Sequence, residues 1–202
     1  MKKFLLVWAL ALLAGPVHAQ PSNTFTSPTA RFSLTKPSDW QFLSADQNAA
    51  NLKAVDMDDA EMKAALAKYA TTPLVAITKH AEPYADLNPS FKVNIRPLGQ
   101  FAGADPKAII SALLPSLQRM FSDAKVVEGP SDVAIGGLKG GYVRLDYTLR
   151  TNDGATFPTS SELWIVPRGD FFFMMGAGTR QDEATGRRSE IRSIVEGIKF
   201  GS

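Results

Sequence analysis

One histidine and two carboxylates lie close together in the sequence and are the first residues to consider for catalysis. His80 ends a stretch with strand character, and Glu82 and Asp86 belong to the loop that follows it. A histidine near carboxylates can act as a general base. A lone histidine at a strand end is more commonly a polar surface residue, so we favour that interpretation and predict no catalytic residues.

A second set of charged residues falls on two predicted strands that follow each other in the chain. Arg144 and Asp146 alternate with apolar residues, and Glu162 opens the next strand. On adjacent strands these side chains would face the same side of the sheet. Ion pairing between the strands explains such a set without any ligand.

Three short motifs resemble binding signatures but fit ordinary structure better. Residues 136–141 read Gly-Gly-Leu-Lys-Gly-Gly, yet a phosphate-binding loop precedes a helix and has Ser or Thr after its lysine. We therefore predict a hairpin turn or a bulge there. Residues 168–170 read Arg-Gly-Asp, a cell-adhesion tripeptide that is also a plain turn between two apolar strands. The Asp-Met-Asp-Asp run at 56–59 lacks the later glycine and glutamate of a calcium-binding loop, so we predict the solvated start of a helix.

Four aromatic residues have two interpretations. Trp40, Tyr84, Trp164 and Phe172 would line a groove if exposed and would fill the core if buried. Core packing is the usual arrangement of aromatic side chains. The sequence alone does not decide between the two, and it leaves the binding residues unassigned.

The composition excludes several reaction classes. The 202-residue chain has no cysteine and two histidines, His18 and His80. It therefore has no thiol nucleophile and too few ligands for the usual zinc sites. A Ser-His-Asp triad would depend on His80. We predict no metal site and no cofactor.

Residues 1–19 predict a cleavable signal peptide. Two lysines precede the uncharged, apolar residues 4–14, and small residues lead up to Ala19. These are the charged, apolar and cleavage regions of a secretory signal, and the apolar stretch is shorter than the about 20 residues that a membrane helix needs. Cleavage between Ala19 and Gln20 would release a periplasmic or secreted protein without a membrane span.

The charge of the released protein gives no reason to expect nucleic acid as a partner. Loss of the two leader lysines reduces 22 basic residues to 20, which equals the 20 acidic residues of the chain. A neutral chain without a basic run lacks the electrostatic attraction to phosphates on which such binding depends.

The pattern of apolar residues predicts an α+β fold with helices packed on a largely antiparallel sheet. Tight turns between the late strands require antiparallel pairing, and the stretch 171–177, apolar on both faces, is expected at the centre of the sheet. Residues 20–28 are expected to form a flexible N-terminal segment. Alternation predicts strands at 32–35, 74–79, 91–96, 126–135, 142–150, 162–166 and 171–177. Helical spacing predicts helices at 55–70, at 106–121 with a kink or restart at Pro115, and around 191–195.

Three segments make the chain similar to a known superfamily. They are Phe32–Trp40, with its strand, proline and tryptophan, the glycine-bearing Val133–Tyr142, and the ending Ile198–Phe200. In these segments the chain resembles the PsbP-like (Mog/PsbP) superfamily of α/β/α sandwiches. The resemblance implies a single domain at 29–202. It also implies an accessory or assembly role in binding larger protein complexes, with no catalytic residues to carry over.

Three functional hypotheses follow. The first is an exported, non-catalytic binding or assembly module that contacts an envelope or periplasmic protein, in an oligomeric state that the sequence leaves open. The second is a small carboxylate-based hydrolase, which requires two carboxyl groups that converge in a deep pocket with a raised pKa. The third is a carrier of a small apolar ligand, which an enclosed apolar cavity would support.

Overall fold

A computed structural model of the chain describes residues 22–56 and 73–201. The strands in these residues are β1 Thr24–Ser27, β2 Phe32–Thr35, β3 Gln41–Phe42, β4 Val55–Asp56, β5 Val75–Thr78, β6 Ser90–Pro97, β7 Lys125–Ile135, β8 Leu138–Thr151, β9 Thr156–Arg168, β10 Phe171–Arg180 and β11 Lys199–Phe200. The α-helices are α1 Ala45–Ala54, α2 Pro106–Met120, α3 Glu183–Gly186 and α4 Arg188–Glu196.

Eight of these strands form one large sheet. Their spatial order is β3-β5-β6-β10-β9-β8-β4, and β7 pairs with β8 outside this path. Every pairing in the sheet is antiparallel. β10 lies between β6 and β9, as predicted for a strand that is apolar on both faces. The predicted α+β fold with a largely antiparallel sheet flanked by helices is therefore confirmed.

One face of the large sheet packs against α4 and a small sheet with the order β1-β2-β11. The spacing of Ile191, Ile194 and Val195 places them on one side of α4, as predicted, and all three are buried. Phe173 and Met175 of β10 are fully buried in the same cluster. This face forms the larger hydrophobic core of the described residues.

The opposite face of the sheet carries α2. The Asp105 side chain accepts a hydrogen bond from the backbone N–H of Lys107, so it caps the helix as predicted. Ile109 and Ile110 are fully buried in a second cluster with residues of β8 and β9. The prediction at Pro115 was a kink or a restart, and the helix continues past this residue as one element, so it does not restart there.

Gly141 of β8 allows α2 to lie close to the sheet. A Cβ atom at this position would come within 2.9 Å of the Pro106 carbonyl carbon and of Ile110 Cδ1. The predicted turn at 136–141 is also present, because Gly136 and Gly137, both with positive φ, connect β7 and β8.

Two sequence predictions need correction. Residues 24–27 were expected in a flexible segment, but they form β1, which pairs with β2 along its whole length. The helix expected at 55–70 does not begin at its first residue, because Val55 and Asp56 form β4 and pair with β8. The helix in this region of the described chain is the earlier α1. Alternation of short polar strands is weak in the sequence, and tertiary pairing decides such segments.

Other predictions concern parts of the chain outside the described residues. These are the signal peptide 1–19 with its cleavage site between Ala19 and Gln20, and the remainder of the helix predicted at 55–70. No helix in the described ranges combines the length and the apolarity that a membrane span requires.

Candidate functional site

A groove lies on the α2 face of the large sheet, with β5, β6 and β10 as its floor. Lys92 of β6 is paired with Ala76 of β5 on one side and with Gly176 of β10 on the other. Two residues away on the same face, Ser90 is paired with Gly178 of β10. The small neighbours of Lys92 leave space above the sheet that larger side chains would fill.

The two floor glycines are not required by the backbone, since neither has a positive φ. A Cβ atom at Gly176 would have the Glu162 carbonyl oxygen, at 3.9 Å, as its nearest neighbour. A Cβ atom at Gly178 would meet the Ser90 hydroxyl oxygen at 3.6 Å. Side chains would fit at both positions. Glycine inside a strand often marks a place where a ligand or another backbone approaches the sheet.

The groove has a volume of about 500 Å³ and opens to solvent. Small-molecule sites typically enclose about 300–1,000 Å³. The rings of Phe121 and Tyr147 stack with centroids 3.9 Å apart at its α2 side. Most of the other wall residues are also apolar and include Leu117, Met120, Leu145, Leu149, Phe157, Leu163 and Met174. The wall therefore suits an apolar ligand.

Lys92 brings a positive charge to this groove. Its ammonium group forms no hydrogen bond or ion pair with any residue in the described part of the chain. Solvent reaches the side chain, but the protein around it desolvates the ammonium and lowers its pKa. An ammonium held in this way lacks the counter-charge that normally compensates for lost hydration.

The carboxylates at the rim already have partners. Glu82 accepts hydrogen bonds from the side-chain amides of Asn51 and Asn88. Asp86 forms an ion pair with Arg180 at 2.7 Å. Neither carboxylate therefore balances the ammonium group on the groove floor.

His80 lies just after β5, and its ring stacks on the ring of Tyr84 with centroids 4.2 Å apart. Within the described chain no carboxylate contacts the imidazole, so the suggested pairing with Glu82 or Asp86 does not form. Tyr84 is 39% exposed and stands at the rim of the groove. The structure therefore places His80 outside the lining and Tyr84 within it.

A smaller pocket of about 270 Å³ lies on the other face of the sheet, beside β8, β9 and α4. Glu162 is only 2% exposed there, and it accepts a hydrogen bond from the Tyr142 hydroxyl at 2.7 Å. The same hydroxyl lies 3.3 Å from Glu128 Oε2. Burial raises the pKa of Glu162, although the bond from Tyr142 and the nearby arginines act in the opposite direction. The Oε2 atom of Glu162 has no partner among the described residues.

The carboxyl groups of Glu128 and Glu162 thus converge in this pocket, but both contact the phenol hydroxyl of Tyr142. The hydroxyl of Tyr142 fills the position between Glu128 and Glu162 that a scissile bond would have to enter. A glycoside hydrolase keeps that position open for its substrate. The pocket therefore meets only part of the condition that the hydrolase hypothesis set.

The charged set on β8 and β9 has the predicted register but different partners. Arg144 and Glu162 are directly opposed in the ladder. The ion pair that Arg144 makes in the described chain is with Glu128, at 3.9 Å. Asp146 accepts a hydrogen bond from the Ser160 hydroxyl. The predicted ion pairing within the set is wrong, because the buried Glu162 takes the hydroxyl of a neighbouring tyrosine.

The remaining motifs and aromatic residues mostly have structural roles. Trp40, Trp164 and Phe172 are buried, so core packing is confirmed for three of the four aromatics. Residues 168–170 form the predicted turn between β9 and β10. The Arg168 guanidinium donates to the carbonyl oxygens of Ala30, Arg31 and Gly201.

Among the described residues no group of three or more His, Asp or Glu side chains could hold a metal ion.

Comparisons with known proteins give no family for this chain. No protein-family model matches the chain, and no curated protein matches it by sequence. The solved structures that resemble it include LpqN of Mycobacterium tuberculosis, a protein involved in cell envelope biogenesis. That match has 14% identity and a TM-score of 0.49, and it covers 92% of this chain and 88% of LpqN.

Three other solved structures also match most of this chain at low sequence identity. Cyanobacterial PsbP of Synechocystis sp. PCC 6803 has 12% identity and a TM-score of 0.47, with 92% of this chain and 96% of that chain covered. The Ran-binding protein Mog1p of Saccharomyces cerevisiae has 8% identity and a TM-score of 0.48, with 90% and 96% covered. A Bacteroides thetaiotaomicron protein has 17% identity and a TM-score of 0.46, with 90% of this chain covered. This chain spans 49% of that longer protein.

These likenesses concern the fold alone. The similar structures include proteins of the PsbP and Mog1p type, which the resemblance inferred from the sequence had named. The groove residues Lys92, Gly176 and Gly178 were not singled out by the sequence. The signal that could have pointed to the groove is Gly176, inside the strand predicted at 171–177, with Gly178 just after that strand.

Proposed function

We propose that the chain is an exported, non-catalytic binding protein whose ligand site is the groove over β5, β6 and β10. The proposal rests on the space that lies above Gly176 and Gly178 on the floor of the groove. Gly176 and Gly178 leave a volume of about 500 Å³ above a sheet whose other face is filled by core residues. A sheet that needed only stability would gain from side chains at those positions.

The shape of the groove favours a small ligand over a flat protein surface. Protein interfaces of ordinary affinity bury about 800 Å² on each partner and are mostly level. The groove instead is concave, has mostly apolar walls and admits polar contacts at its rim, which is the usual form of a small-molecule site. The groove is open, not the enclosed cavity expected for the third hypothesis, so the carrier that we propose as the specific form of the first hypothesis would hold its ligand in an open groove.

Export and an envelope or periplasmic protein partner remain parts of this proposal. The signal-peptide pattern of residues 1–19 supports export. A carrier in that compartment must release its ligand to another component, and an envelope protein would be the receiver.

The test is binding of a neutral apolar dye, N-phenyl-1-naphthylamine, to protein purified after expression of the full chain. The variant Gly176→Leu fills the floor without backbone strain, and we expect it to weaken dye binding by about tenfold or more. Thr26→Leu adds apolar bulk on the exposed face of β1, away from the groove, and serves as the matched control. Equal dye affinity in wild type and Gly176→Leu would overturn the proposal.

A further inference from the structure

Two polar side chains of the groove lie next to each other on one strand. Lys92 and Asn94 project from the same face of β6 and both line the groove. The Asn94 side chain is 9% exposed, and like the ammonium of Lys92 it has no hydrogen-bond partner in the described chain. Lys92 is exposed to solvent and Asn94 is largely buried, so an acceptor that entered the groove would reach both donors, and an anionic one would complement the charge of Lys92.

The chain itself supplies no such acceptor. The strand neighbours of Lys92 are Ala76 and Gly176, which have no polar side-chain atoms. The rim carboxylates Glu82 and Asp86 are engaged by asparagine and arginine side chains. A carboxylate or another small anionic group from outside would satisfy both Lys92 and Asn94, and hydrogen bonds between charged groups are the strong ones.

The apolar part of the groove begins directly beside this polar pair. Met174 of β10 is paired with Asn94, and Leu163 of β9 is paired with Gly176. The apolar surface continues over β8 to Leu145. With strands about 4.8 Å apart, the distance from β6 to β8 is about 14 Å. An apolar path therefore runs from β6 toward α2.

We propose that the groove binds an amphiphile with one anionic head group, which pairs with Lys92 and Asn94, while its apolar chain lies across β10, β9 and β8. This inference rests on the proposed function and adds the class of ligand. The lowered pKa of Lys92 agrees with it, because an ammonium desolvated for a counter-ion is costly in the ligand-free protein.

The experiment compares decanoate, 1-decanol and decylammonium by isothermal titration. These probes share one chain and differ in head-group charge. We expect wild type to bind decanoate more tightly than 1-decanol by about tenfold or more, and decylammonium least tightly. Lys92→Met should remove the advantage of decanoate while leaving 1-decanol affinity within about twofold. Lys92→Arg, which keeps the charge, should retain a preference for the acid.

The outcomes separate this inference from the proposal on which it rests. If no probe binds, the ligand groove itself is wrong. If decanoate and 1-decanol bind equally to wild type and to Lys92→Met, the groove stands and the anionic head group is overturned. Preference for decylammonium would overturn it as well. The thermal midpoint of Lys92→Met is measured alongside and should not fall, so that a loss of binding is not a loss of folding.

Discussion

The hydroxyl of Tyr142 on β8 donates a hydrogen bond to the buried carboxyl group of Glu162 on β9 at 2.7 Å. The acid therefore has one satisfied oxygen and one without a partner in the described chain, in surroundings that favour its protonated form. Burial also raises the pKa of Tyr142. The energetic effect of this pair therefore depends on pH.

Glu162→Gln tests this pH dependence. Because the pKa of Glu162 is raised above its ordinary value of 4.5 in the folded state, its stabilising contribution is complete below that pH. The contribution is lost as the pH rises toward the folded pKa. We expect the thermal midpoint of wild type to fall relative to Glu162→Gln between about pH 4 and about pH 7. Glu196→Gln, at an exposed position of the same pocket, is the control, and a pH-independent difference for Glu162→Gln would contradict the expectation.

Lys79→Met tests the connection between β5 and α4. The Lys79 ammonium lies 2.7 Å from Glu190 and 2.6 Å from Asp39, and its side chain is 12% exposed. We expect the variant to lose about 1–3 kcal/mol of unfolding free energy at neutral pH, measured by urea denaturation.

The loss should shrink in acid. Burial opposes ionisation of Glu190, but hydrogen bonds from Lys79 and Trp40 outweigh it and lower the pKa of Glu190. Its contribution is therefore present above 4.5 and lost as the pH falls through the lowered folded pKa. A cost of Lys79→Met that stays constant from neutral pH to about pH 3 would speak against this ion pair.

Two glycines of the same sheet should respond in opposite ways to alanine. Gly141→Ala places a Cβ atom against Pro106 and Ile110 at 2.9 Å, so we expect a loss of about 1–3 kcal/mol in unfolding free energy. Among the described residues, the Cβ atom of Gly176→Ala would meet only the Glu162 carbonyl oxygen, at an ordinary contact distance of 3.9 Å, so stability should be unchanged or rise by up to about 1 kcal/mol. Equal effects at the two positions would show that α2 does not lie as close to β8 as described.

Arg168→Lys tests whether the Arg-Gly-Asp turn has a structural role. Arg168 donates to three backbone carbonyl groups, and a lysine keeps the charge but not the planar fork. We expect a loss of about 1 kcal/mol and faster hydrogen exchange in β2 and β11. Asp170→Asn, in the same turn, should stay within about 0.5 kcal/mol of wild type. A larger loss of unfolding free energy for Asp170→Asn than for Arg168→Lys would contradict a structural role for Arg168.

The elements with strong periodicity could be predicted from the sequence. The buried stripe of α4 and the central position of β10 follow from patterns that are visible over a few residues. α1 was missed because its apolar residues are sparse. Its sequence does carry a capping box, since Ser44 and Gln47 exchange backbone-to-side-chain hydrogen bonds at its start.

The groove was beyond sequence reasoning for a different reason. Alternation within residues 91–96 places Lys92 and Asn94 on the polar side of a half-buried strand. Whether that side is open depends on the neighbours Ala76 and Gly176, which come from distant parts of the chain. Strand register is a tertiary property, and it decides which small residues meet.

The unstrained glycines of the floor also make this chain suited to conversion into an optical sensor. The sequence contains no cysteine, so Gly178→Cys would introduce a single thiol at a position where a side chain fits. An environment-sensitive fluorophore attached there would project into the groove and report its occupancy. The larger hydrophobic core lies on the opposite face of the sheet, so such labelling would leave that packing untouched.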